Sequence, residues 1–154
     1  MNVTHVPRRL AISHWGGTET HIIEVAQRQN RDGLRATILC PDALSDTAEE
    51  EIATVPIRRV PYFYPYLGLK PEAVTALDLS GGNMFSFHLM RELMTRPGLD
   101  VIHLHTARRI GAIGRWAARR RHVPYVISLH GGLEEAPLDH ADGAPVAPSS
   151  QRLR

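Results

Sequence analysis

Apolar positions along this chain switch repeatedly between a period of two and a period near 3.6 residues, marking strands and helices in alternation. Asn2 to Val6 reads as a short first strand, and a long loop from Pro7 to Gly17 follows it. Thr18 is expected to cap a helix running to about Asp32, with Ile22, Val25 and Ala26 on one face and Gly33 as its stop. Arg35 to Cys40 reads as a second strand ended by Pro41-Asp42, and Ile57 to Val60 as a third after the acidic run Glu49, Glu50, Glu51. Phe85, Leu89 and Leu93 recur at helical spacing, which predicts a helix from about Asn83 to Arg96 that Pro97-Gly98 terminates. Val101 to His105 is a fourth strand, Arg108 to His122 a helix, and Tyr125 to Leu129 a fifth strand.

Strands separated by helical segments imply parallel pairing with right-handed crossovers. The expected fold class is therefore α/β, a single open Rossmann-like parallel sheet with helices on both faces. The pattern stops at Glu134, and Ala141 to Arg154 is rich in Ala, Pro, Ser and Asp with no periodic apolar face. The reading is one domain over 1–133 and a flexible or truncated tail over 134–154. No internal repeat is visible.

Composition narrows the class. The chain has 154 residues, 43% of them hydrophobic, which suits one domain with one adequate core. No apolar stretch approaches the roughly 20 residues that span a bilayer. Met1 to Pro7 lacks a basic stretch followed by an apolar one, so no secretion signal is expected. The single Cys40 has no partner for an internal disulfide, which fits a reducing compartment, and the cytoplasm is expected. Net charge is only +2, yet Lys70 is the lone lysine and the other cations are arginines. Arginine is the better partner for phosphates and acidic head groups. The densest basic patch, Arg115, Arg119, Arg120 and Arg121, suits a helix C-terminus whose dipole it complements, or a membrane-surface contact. No aromatic interleaving accompanies it, so nucleic acid is not an expected partner.

In a parallel sheet the carboxyl ends of all strands share one edge, and ligands bind in the crevice there. That rule gathers Gly16-Gly17 after the first strand, His105-Thr106 after the fourth and His130-Gly131-Gly132 after the fifth. Two glycines before a helix let a ligand approach the backbone and the free N–H groups of the helix start, a junction suited to an anion. The bland alternative is a simple turn, but the loop exceeds the usual 2–6 residues of a βα connection. Neither a G-x-G-x-x-G fingerprint nor a P-loop lysine is present. His103 and His105 share one face of their strand, yet a metal site needs three or four ligands and none is expected. His103 reads as structural, and His105 as closer to a ligand. His130 is placed either to bond a substrate hydroxyl and move a proton, or as a surface histidine in a turn. Glu19 suits the first turn of its helix whether or not it meets a ligand. Tyr62, Phe63, Tyr64 and Tyr66 put four of the nine aromatic residues in one loop, which either stacks on sugars or lipid interfaces or packs on the core.

In this order and spacing, Gly16-Gly17-Thr18-Glu19, Ala36 to Pro41, Asp100 to His105 and Pro124 to Gly131 resemble the N-terminal domain of family 4 glycosyltransferases, the retaining enzymes of GT-B fold. The resemblance covers about Met1 to Gly132. It implies half of a GT-B fold, in which this domain mainly holds the acceptor and a second domain binds the nucleotide-sugar. By that likeness Gly16 and Gly17 face the donor diphosphate, and His130, the expected catalytic residue, lies near the donor sugar. Glu19, His105, Tyr62 and Tyr64 are the expected acceptor side. The resemblance implies no metal or other cofactor, with the nucleotide-sugar as a substrate and retention by front-face displacement. The expected partners are the nucleotide-sugar, a sugar or lipid-linked acceptor, a separate donor-domain chain, and the inner membrane surface by peripheral contact. The donor domain lies outside these residues, so the chain alone is expected to be catalytically silent. Two other functions fit less of the pattern: a noncatalytic sugar- or nucleotide-binding module, and a metal-dependent hydrolase using His103, His105 and His130.

Overall fold

A computed structural model describes residues 1–130; the expected tail over 134–154, and Gly131 and Gly132, lie outside the described residues. Six strands form one open sheet: β1 (Asn2–Val6), β2 (Arg35–Pro41), β3 (Glu49–Ile52), β4 (Val55–Val60), β5 (Val101–Leu104) and β6 (Tyr125–Ile127). Their order across the sheet is β3-β4-β2-β1-β5-β6. Every neighbouring pair is parallel except β3 with β4. The chain builds outward from β1 through β2 to β4, then returns to β1's other side with β5. The topological switch point therefore lies between β1 and β5, where a ligand crevice is expected.

Among the described residues four α-helices join the strands: α1 (Gly17–Arg31), α2 (Pro71–Ser80), α3 (Phe87–Thr95) and α4 (Arg109–Arg121). On one face α1 lays Ile22, Ile23 and Ala26 over Ala36, Ile38, Val55 and Ile57. On the other, α3 and α4 bury Leu89, Leu93, Ile110 and Ile113 against Val6, Leu39, Ile102 and Leu104. Alternation along each strand produces the two cores, since neighbouring residues point to opposite faces. Tight approach of α4 to β5 depends on glycine: a Cβ on Gly111 would overlap the Thr106 carbonyl oxygen, and one on Gly114 the Leu104 side chain. No helix among the described residues is long and apolar enough to cross a membrane.

The parallel sheet carries one antiparallel edge strand that the apolar pattern does not announce. β3 is built from the acidic run, and Glu49 pairs in register with Arg58. Cross-strand charge holds it: Arg58 reaches Glu49 at 3.4 Å, and the buried Arg59 guanidinium pairs with Glu50 while its Nε–H donates to Leu10 O at 2.8 Å. α2 is also additional to the expected elements, although Pro71 opens it and Gly81, at φ 85°, closes it. The helix expected from Asn83 starts later. Phe85 instead bridges Phe63 through paired backbone hydrogen bonds of 2.8 and 2.9 Å, and Ser86 Oγ caps α3 by accepting from Leu89 N–H. At α1 the cap is Gly16 rather than Thr18, because the Glu19 carboxylate reaches back to accept the Gly16 N–H at 3.1 Å.

Candidate functional site

β1, β5 and β6 deliver histidines to the α1 side of the sheet, and α1 adds another from above. His5 and His103 are register partners on β1 and β5. His105 follows β5, His130 follows β6, and His21 on α1 stands edge-on to His130 at a centroid distance of 5.1 Å. Hydrogen bonds thread these rings. Gln29 Oε1 lies 2.7 Å from His5 Nε2, His5 Nδ1 lies 2.9 Å from His105 Nε2, and His105 Nδ1 lies 2.9 Å from His130 Nε2. His103 Nε2 meets Ser128 Oγ at 2.7 Å.

Burial favours the neutral form of His5, His103, His105 and His130. Desolvation lowers the His5 pKa to about 4 against the counter-effect of the Gln29 bond, and nearby histidines lower it further. Desolvation and then His103 bring His105 to about 2. His103 and His130 are lowered as well, burial leading in each case. A neutral imidazole carries one N–H, so the amide oxygen of Gln29 sets the direction of every bond. His5 Nε2–H donates to Gln29, His105 Nε2–H to His5, and His130 Nε2–H to His105. His130 Nδ1 is left with its lone pair. A hydroxyl hydrogen is what that atom accepts.

The ring nitrogens of His5, His103 and His105 lie within 4.8 Å of one another, the spacing of a metal-binding group. This trio differs from the expected hydrolase set, with His5 in place of His130. Two nitrogens on a tetrahedral zinc at 2.0–2.1 Å would stand about 3.3 Å apart. The 2.9 Å between His5 and His105 is a hydrogen-bond length, and both outer nitrogens already have partners.

Beside the histidines, at the carboxyl edge, a cavity of about 470 Å³ is lined by Arg8, Arg9, Glu19, His105, Arg108 and His130 among others. Another of about 500 Å³ lies at the opposite edge, around Asn2, Arg35, Thr37 and Gly98, away from the strand ends that hold ligands in such sheets. The first cavity unites Glu19, His105 and His130. Gly16 and Gly17 immediately precede its lining residues Thr18 and Glu19. Neither glycine is demanded by the backbone: Gly16 is extended, Gly17 is helical, and a Cβ on Gly17 would meet no atom within 4 Å. Tyr62 and Tyr64 do not line the cavity. Both hydroxyls donate to the buried Asp78 carboxylate, at 2.5 and 2.8 Å, and Tyr64 itself is buried, while Phe63 and Tyr66 are the exposed aromatics of that loop.

His5, His21, Gln29, Arg8, Arg9 and Arg108 were not legible as site residues from local pattern. His5 occupies an ordinary inward position of a buried strand, and only its register with His103 reveals it. His21 and Gln29 are eight residues apart on α1, a spacing that places them on one helix face. The basic patch at the end of α4 is structural in part, since Arg121 Nη1 donates to Leu93 O and Arg96 O, tying α4 to α3. Arg115, Arg119 and Arg120 stay exposed, with Arg120 over the Trp116 ring.

A family model described as a glycosyl transferase 4-like domain matches residues 16–154. No curated protein matches the chain.

Proposed function

The chain belongs to the glycosyl transferase 4-like domain family, and on that premise we propose that it forms the acceptor-side layer of a retaining sugar transferase. The observation carrying this reading is the carboxyl-edge cavity, where Glu19 in the first turn of α1, His105 and His130 converge from three elements. We assign the diphosphate of a nucleotide-sugar to the start of α1 beside Gly16 and Gly17, where the helix dipole and the first-turn N–H groups beyond Gly16, whose own N–H bonds Glu19, favour negative charge. His130 Nδ1 accepts a hydroxyl hydrogen of the donor sugar, which fixes the sugar ring. The acceptor enters from the Arg8 side, and Tyr62 and Tyr64 support it indirectly by clamping their loop to Asp78.

In the front-face reaction the bond from the sugar's anomeric carbon to the diphosphate oxygen breaks. The acceptor oxygen bonds to the same face, and its proton passes to the departing phosphate oxygen. No metal takes part in this scheme. Developing charge on the leaving diphosphate needs preorganised cations, and the reading gives that role to a second domain facing this one. The 154 residues alone are accordingly silent. We place the enzyme in the cytoplasm, with the exposed Arg115, Arg119 and Arg120 and the neighbouring Trp116 toward an acidic inner membrane surface.

The test is transfer from radiolabelled nucleotide-sugars, with this chain alone and mixed with a donor-binding domain. Silence alone and transfer on mixing, lost with His130→Ala, is the expected result. Robust transfer by the chain alone would overturn the two-wall reading.

A further inference from the structure

Three arginines reach the carboxyl-edge cavity from two separate places. Arg8 and Arg9 follow β1, and Arg108 precedes α4. Two of them are anchored at the end of α2: Arg8 Nη2 donates to Asp78 O at 2.8 Å, and Arg108 Nη1 donates to Gly81 O at 2.6 Å. Carbonyls at a helix C-terminus carry partial negative charge, so they hold these guanidinium groups well. Other donors remain. Arg8 Nη1 and Arg9 Nη1 are buried and find no hydrogen-bond partner among the described residues. A buried charged donor without an acceptor is costly, and like charges crowded together add to that cost. The Arg8 pKa is lowered by burial first and by Arg9 next. No ion pair among the described residues involves any of the three. The cavity's carboxylate, Glu19, accepts the Gly16 N–H through Oε2 and forms no ion pair with these arginines. What would satisfy this arrangement is a compact dianion with several acceptor oxygens, which guanidinium forks match.

We propose that Arg8, Arg9 and Arg108 form an oxyanion subsite for a phosphoryl group carried by the acceptor. The assignment rests on the transferase reading above and narrows it to phosphorylated acceptors. It favours the acceptor over the donor because Arg8 and Arg108 are tied to α2, whereas the donor diphosphate is assigned to the start of α1.

Inorganic phosphate titrated into the 154-residue chain by calorimetry tests the subsite without turnover. Arg8→Gln, Arg9→Gln and the exposed Arg108→Gln should each weaken phosphate binding about tenfold, the loss expected for one charge-assisted hydrogen bond. Arg119→Gln, at the end of α4, should leave it unchanged, as should a saturating concentration of uridine diphosphate. Folding of each variant is checked by thermal melting, and if a variant of the half-buried Arg8 or Arg9 unfolds, the exposed Arg108 decides the outcome. Equal affinity in the Arg108→Gln protein and the wild type overturns the subsite, and so does equal loss with Arg119→Gln. Displacement of phosphate by uridine diphosphate overturns the acceptor assignment. Phosphate binding that follows this pattern, with no transfer on adding a donor domain, fails the transferase reading alone.

Discussion

His105 Nδ1 lies 2.9 Å from His130 Nε2, so a buried ring at the end of β5 holds the exposed ring beyond β6. The same chain of bonds continues through His5 to Gln29, and it ends there on an amide oxygen. A proton passed inward has nowhere to leave, because Gln29 accepts a hydrogen bond and takes no proton. The chain therefore orients His130 and fixes its tautomer, and does not conduct protons.

Nitrogen NMR of ¹⁵N-histidine protein checks the direction of these bonds. At neutral pH His5, His105 and His130 should all show protonated Nε2 and bare Nδ1. Gln29→Glu would put a carboxylate beside His5 and favour its doubly protonated form. His5 Nδ1–H would then donate outward, and the chain would reverse. His130 should change to the Nδ1–H tautomer, with loss of its acceptor atom. An unchanged His130 spectrum in Gln29→Glu would show that the bonds are independent.

Acid sensitivity follows from the same burial. His5 is lowered to about 4 in the fold from the ordinary 6.5. Between those values the unfolded chain binds a proton that the folded chain does not, so stability falls as pH falls. The stabilisation is fully present above about pH 6.5, and His5 alone should remove about 2 kcal/mol between there and pH 5. His105, lowered further, acts in the same direction. Urea unfolding at pH 7.5, 6 and 5 measures the slope, which His5→Asn should flatten. A flat profile in the wild-type chain would contradict buried, neutral histidines.

The central strands were legible because their function is burial. β1, β2 and β5 read as strands from apolar positions, and the structure keeps Asn2–Val6 as expected. β3 was not, since Glu49 to Glu51 owe their strand to arginines on β4 and no local apolar signal marks them. α2 carries Pro71 and Gly81 as start and stop, but exposed positions dominate it and its apolar stripe is faint. At the site, His105 and His130 were readable from their place at strand ends. His5 was not, because a buried histidine on a strand looks like any inward residue until the register with β5 is known.

Gly17 separates fold from ligand. A side chain there would enter open space, so Gly17→Val should change unfolding free energy by less than about 1 kcal/mol. The same side chain would cover the backbone to which the donor diphosphate is assigned. Transfer by the chain mixed with a donor domain should fall steeply, with melting temperature nearly unchanged. Retained transfer would remove the diphosphate from this position.

Gly111 and Gly114 both let α4 approach β5, but they do so against different obstacles. A Cβ at Gly111 would strike the Thr106 carbonyl oxygen, whereas one at Gly114 would strike the tip of Leu104. A backbone carbonyl is held by the sheet edge and its neighbours, while a leucine tip can change rotamer. Gly111→Ala should therefore cost more than Gly114→Ala, on the order of 1–3 kcal/mol for the first and near the lower end for the second. Thr106 directly follows His105 and lines the cavity, so movement of its carbonyl must also disturb the contact between His105 and His130. Urea unfolding of the two variants measures the ranking, and the histidine ¹⁵N spectrum reports the second effect. Equal costs, or a His130 signal untouched by Gly111→Ala, would mean that the end of β5 yields as readily as a side chain.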